Sequence, residues 1–210
     1  MEYLLLQAVF LPLLLSPLAY IIGRRLGHTA ATWFTFGLLL YCTTLLIAGS
    51  MGETYEEHYP WTELFGEFGL LLDGLAAPFA IMIYVLCTIL ALYSKPYMLH
   101  KFQDFFKEQA PKPVYQSDGT ALESVSLEQF VNRQSGVYYA LFLVFSMGML
   151  GTVLATNLIE FYIFFEVMLI PSFFLIAFYG DGNRRRIALQ FLFWTHVGAV
   201  VLLLGFLAIG

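Results

Sequence analysis

The sequence predicts an all-α integral membrane protein with six transmembrane helices. Hydrophobic residues make up 60% of the 210 positions, charged residues only 12%, and 21 Phe and 13 Tyr add aromatic bulk. The mean hydropathy is +0.76, a composition that excludes an ordinary soluble domain. Apolar runs of about 20 residues, enough at 1.5 Å per residue to cross a ~30 Å hydrocarbon layer, recur between polar linkers. All ten basic residues fall in alternate linkers, a pattern that sets orientation.

The first apolar run, Tyr3 to Ile22, is preceded by Glu2 where a secretory signal needs positive charge, so it reads as a retained span. Pro12 and Pro17 within it, and Pro78 in the third span, are tolerable where neighbouring helices re-satisfy the backbone. The second span covers Ala30 to Gly49 and the third Gly74 to Ser94. Cys42 and Cys87 lie inside these runs without metal-binding or redox spacing and read as buried thiols. The linker from Ser50 to Asp73 has acidic residues and no Lys or Arg; it reads as a solvated outer loop and is assigned no site.

Residues 1–94 thus form spans one to three, and residues 95–136 a polar cytoplasmic loop. Within that loop MLHKFQDFFKEQ sets Leu99, Phe102, Phe105 and Phe106 on one face, which predicts a helix lying in the interface or against a partner subunit. Thr120 followed by Glu123 is a capping-box pattern leading towards the fourth span. Acidic residues interleave with the loop's lysines, so nucleic acid is not an expected partner.

Residues 137–210 carry the fourth to sixth spans, Val137 to Thr156, Leu158 to Phe178 and Ile187 to Ile209. Ser146, Gly148, Gly151 and Ala155 let neighbouring backbones approach the fourth. The fifth holds the main candidate for proton transfer. Glu166 lies about 12 Å from the start of its span, and a carboxylate at mid-depth costs about 2.5–3.5 kcal/mol on insertion scales, so such groups face a bundle interior or wet cavity. Tyr162 precedes it by one turn, and Pro171 leaves the carbonyl of Val167 without its helical donor. The competing reading is a structural carboxylic acid bonded to a neighbouring helix. Glu160 is nearer the outer surface, about 120° around the helix; it could guard an outlet, and the preferred reading is that it reaches interfacial water.

The sixth span brings His196 about 14 Å from its inner end, at nearly the same depth. An unperturbed imidazole titrates near pH ~6.5, so a carboxyl and an imidazole that meet there form a pair able to exchange a proton near neutrality. A histidine bonded to a helix backbone is the alternative. One histidine without a spaced second ligand is no metal motif, and no cofactor motif is present. The three arginines of GDGNRRR are accounted for by topology and by anionic lipid.

The run YYALFLVFSMGMLGTVLATNLIEFYIFFEVMLIPSFFLIAFYG, followed by RRRIALQFLFWTHVGAVVLLLG, resembles the fourth to sixth spans of the antiporter-like membrane subunits of respiratory complex I. That fold is shared with Mrp-type cation/proton antiporters, and FFEVMLIPSFFLIAFYG is most similar to the chain M type. LLLDGLAAPFAIMIYVLCTILALYSKPYM resembles the family's third span, with Asp73 at its entrance. The resemblance implies that Glu166 is the proton-pathway glutamate; it does not extend to His196, which remains a candidate relay from its depth alone.

Family members have about fourteen spans in two inverted repeats. This sequence reads through the first six, an incomplete antiporter-like fold, so the cation that modulates the glutamate is expected from C-terminal spans, carried by a separate chain or missing from a truncated sequence. The implied function is a membrane subunit of a proton-translocating quinone oxidoreductase oxidising NADH or a related donor, binding no cofactor itself, among other membrane subunits and lipid. The alternatives are an Mrp-type sodium/proton antiporter subunit and a non-transporting scaffold. A prokaryotic inner membrane, with both chain ends outside, is the expected location.

Overall fold

A computed structural model describes residues 3–52, 54–62, 66–109 and 126–209. Its elements are α1 (Leu4–Leu26), α2 (His28–Ser50), β1 (Tyr55–Thr62), β2 (Gly66–Leu72), α3 (Ala76–Gln109), α4 (Leu127–Leu154), α5 (Leu158–Tyr179) and α6 (Arg184–Ile209). All six helices are long and apolar enough to span a bilayer.

α4 is the central post, packing on α1, α2, α3 and α5, while α6 rests chiefly on α5. Small residues allow this. A Cβ added to Gly23 of α1 would come within 2.5 Å of the Gly136 Cα in α4, so the two backbones touch where they cross. Further along α4, Gly148 faces the backbone of Met168 and Gly151 meets the ring of Phe164, which seats α5. The core left between the helices is filled by Leu5, Leu39, Leu46, Tyr84, Tyr139, Leu143 and Leu150, all buried.

Prolines inside spans free carbonyls, and polar side chains take them up. Pro12 cannot donate to the Ala8 carbonyl, and the Tyr84 hydroxyl of α3 donates to it at 2.9 Å instead. Pro17 likewise frees the Leu13 carbonyl, which accepts from the Ser16 hydroxyl at 2.8 Å. Between α1 and α2 the chain reverses at Gly27, whose φ of 95° is open to glycine without strain.

Three expectations are corrected. The third span does not stop at Ser94: one helix runs through Pro96 to Gln109. Its extension does not lie flat in the interface, because Met98 and Phe102 are buried against Val131 and Tyr179, which makes the apolar face an internal one. α4 begins at Leu127, ten residues before the expected Val137, with Ser126 and Gln129 forming a reciprocal capping box. The expected polar loop of residues 95–136 is therefore largely helix at both ends; the Thr120–Glu123 pattern lies outside the described residues.

The second linker adds an antiparallel β-hairpin to the helices, with Tyr55 opposite Leu72 and Tyr59 opposite Phe68. Leu70 and Leu72 are buried beneath it, and Phe68 packs on Phe10 and Phe164. Glu57 is turned inward, accepting from the amides of Leu5 and Leu6 at 2.9 Å each. It thereby caps α1, whose first amides have no partner within the helix and whose dipole favours an anion there. Reading the whole acidic linker as a solvated face missed this residue. The Tyr59 hydroxyl donates to the same carboxylate at 2.8 Å; burial, then that bond, push its phenol above the usual range.

Candidate functional site

The two ionisable side chains of the central membrane segments meet. Glu166 Oε2 stands 3.3 Å from His196 Nδ1. α5 and α6 are antiparallel neighbours joined by the tight turn through Gly180 and Gly182, so residues at matching depth are brought opposite one another. At the start of α5 the Asn157 side chain accepts from the Glu160 amide at 2.8 Å, fixing where the helix begins. Tyr162, one turn before Glu166, lies beside its carboxylate.

The separation slightly exceeds an ordinary N–H···O bond, so a small side-chain rotation closes it. Glu166 Oε1 is buried and has no hydrogen-bond partner among the described residues. Burying a polar oxygen unpaired is costly, and a proton or a further donor relieves the cost. Glu166 is 25% exposed and His196 56%, so the pair is open on the side of α6 that no described helix covers. Thr195 beside His196 bonds back to its own helix, its hydroxyl donating to the Phe191 carbonyl at 2.6 Å, whereas among the described residues the His196 ring faces the Glu166 carboxylate.

Glu160 requires a correction. Its side chain is 1% exposed and does not reach interfacial water. The hairpin covers it: the Gly69 amide donates to Oε2 at 3.3 Å, while the Asn157 amide group reaches the same oxygen at 3.5 Å and the Glu67 carbonyl at 3.1 Å. Sequence spacing placed Glu160 correctly on α5 but carried no sign that β2 folds over it.

The other end of the bundle holds the basic residues among those described. Lys101 pairs with Asp181 at 2.9 Å, and the Arg184 guanidinium lies 4.4 Å from the centre of the Phe105 ring. These contacts tie the turn before α6 to the extension of α3. Nearby, His28 is buried with Nδ1 2.7 Å from the Ser135 hydroxyl and Nε2 2.8 Å from the Lys95 carbonyl, joining α2, α3 and α4.

A bundle of six helices long and apolar enough to span a bilayer, with a carboxyl–imidazole contact midway along two of them, defines the class of an integral membrane protein with an ionisable pair inside its spans. Residues 155–209 match the family model described as NADH:quinone oxidoreductase/Mrp antiporter, TM, and the chain resembles that family's antiporter-like membrane subunits. It is 24% identical over 172 residues to F(420)H(2) dehydrogenase subunit M of Methanosarcina mazei, covering 81% of this chain and 28% of that one. It is 27% identical over 176 residues to NADH-quinone oxidoreductase subunit M of Rickettsia typhi, covering 83% and 29%. With Na(+)/H(+) antiporter subunit A1 of Staphylococcus haemolyticus the figures are 28% over 208 residues, 96% and 22%.

Two solved structures share the fold. The Mrp complex from Dietzia sp. matches with a TM-score of 0.62 at 22% identity, over 93% of this chain and 18% of that one. The archaeal membrane-bound sulfane sulfur reductase matches at 0.66 and 18% identity, over 96% and 36%. The chain therefore spans less than a third of the length of these curated relatives.

Proposed function

We propose that this chain forms part of a proton-translocating, antiporter-like membrane subunit of a complex I type quinone oxidoreductase, working with electron transfer carried out elsewhere in the assembly. The observation that carries the reading is the Glu166–His196 contact of 3.3 Å in the middle of two spanning helices. Glu166 takes a proton on its carboxylate and passes it to, or receives it from, His196 Nδ1. Neither step needs a redox group, and the chain binds none of its own. A cation brought near the carboxylate favours its charged form and drives the proton off; withdrawing the cation lets the proton return.

The exposed side of α5 and α6 supports a further membrane partner, because an ionisable pair facing lipid is costly. We assign that place to C-terminal spans supplied by the rest of the subunit or by a separate chain, among the other membrane subunits. The basic residues at the Arg184 end support an orientation with that end in the cytoplasm of a prokaryotic cell and the hairpin end outside.

Replacing Glu166 with Gln in the assembled complex tests the reading: coupled proton translocation is lost while assembly and electron-donor oxidation persist. Translocation at the wild-type rate refutes it and favours a scaffold in which Glu166 only bonds its neighbours. The 96% coverage by the Staphylococcus haemolyticus antiporter subunit supports the second reading, an Mrp-type sodium/proton antiporter. Sodium-dependent proton movement in vesicles without an electron donor decides for it.

A further inference from the structure

Glu160 is a second buried carboxyl, and its surroundings differ from those of a side chain that only closes a fold. Of its two oxygens, Oε2 accepts from Gly69 and Asn157, while Oε1 is buried without a hydrogen-bond partner. The Thr156 hydroxyl lies beside the carboxylate, and so does its amide, which donates to the Gly69 carbonyl at 3.3 Å. A structural lock for the hairpin needs one acceptor oxygen; the second is left wanting a proton.

Two features flank it. On the surface side, His58 Nδ1 lies over Gly69, the residue that donates to Glu160, at 3.1 Å from where a Gly69 Cβ would stand. His58 in turn sits between Glu56, 2.8 Å from Nε2, and Glu67, 3.5 Å from Nδ1, all three open to solvent. On the membrane side, Glu160 borders a cavity of about 330 Å³ whose wall includes Ile163, Phe164 and Val167 of α5. Those positions continue one stripe of the helix from Glu160, and the last of them is next to Glu166.

We propose that Glu160 is a second proton-binding station, connecting the surface at the hairpin end with the depth of Glu166; this rests on the proton-transfer reading of Glu166. A proton arriving on Oε1 forms an O–H bond and neutralises the carboxylate. It leaves to water or to the His58 ring at the surface side and regenerates the anion. The cavity wall is apolar and dry at rest, and Glu166 is not part of it, so transfer towards Glu166 requires water to be drawn in past Val167.

The test uses Glu160→Gln in the full assembled protein. Gln keeps an oxygen for the Gly69 amide, so the hairpin stays docked, but it takes up no proton. Translocation is expected to fall about 100-fold, the low end of what losing a positioned proton-transfer group costs, with Glu160→Asp recovering part of it. Infrared difference spectra on titration supply a readout independent of transport: a protonated-carboxyl band present in wild type and in Glu166→Gln, and missing from Glu160→Gln. Wild-type translocation in Glu160→Gln, or the absence of any band that this substitution removes, overturns the proposal. Should Glu166→Gln leave translocation intact, the function proposed for the chain fails, while the band still decides whether Glu160 binds a proton.

Discussion

The hydroxyl of Tyr84 reaches from α3 to donate to the carbonyl of Ala8 in α1 at 2.9 Å, taking the acceptor that Pro12 leaves open. Both groups are buried, and no water reaches them in a bilayer. Tyr84→Phe keeps the ring and strands the carbonyl, so it should cost about 1–3 kcal/mol of stability, read as a lower unfolding temperature in detergent. In a Pro12→Ala background, residue 12 regains an amide for Ala8 and the cost of Tyr84→Phe should shrink. Equal costs in the two backgrounds would show that the bond does not compensate the proline.

Glu57 joins the hairpin to the bundle by capping α1 through two charge-assisted bonds. Glu57→Ala removes both, and the loss of a charged acceptor at a helix start should cost about 1–3 kcal/mol. The expected local sign is faster amide exchange at Leu5 and Leu6 with exchange in α4 unchanged. Uniform acceleration throughout the bundle would mean that the cap holds the whole fold rather than one helix end.

The spans and the pair were legible in the sequence for different reasons. Span limits follow from hydropathy and length, which need no knowledge of neighbours. The depths of Glu166 and His196 follow from helical rise, but which way each faces depends on how α5 and α6 pack, so their meeting was only a possibility until the packing was seen. Glu160 was misread because nothing local announces that the Gly69 backbone will lie over it. The long α3 was missed because the third span was ended at Ser94 on hydropathy and bilayer length; burial of Met98 and Phe102 carries the helix on past Lys95 and Pro96. Glu57 was hidden among other acids, since an alternating strand pattern with Leu70 and Leu72 inward is short beside the surrounding apolar runs.

Gly23 and Gly136 mark a helix crossing where backbone meets backbone, and a Cβ on Gly136 would come within 2.6 Å of the Tyr20 carbonyl oxygen. Backbone atoms offer no rotamer through which to yield. Gly136→Ala should therefore force α1 and α4 apart at a cost of about 1–3 kcal/mol, seen as reduced yield of folded protein and a lower unfolding temperature. Gly37→Ala is the control, because nothing lies within 4 Å of its added Cβ. A Gly136→Ala protein as stable as the control would show that the crossing tolerates separation.

The Glu166–His196 contact makes a prediction that neither residue makes alone. Glu166→Gln should lower translocation about 100-fold or more, the scale for a group that itself carries the proton. His196→Gln keeps a polar side chain but loses the titrating ring, and should lower it less if water can stand in for the relay. When two groups act as one unit, removing the second after the first costs little, whereas independent groups multiply their effects. The double variant should therefore translocate no more slowly than Glu166→Gln. Measured rates in assembled vesicles that multiply would separate the two residues functionally, leaving His196 a neighbour of the carboxylate and not its partner.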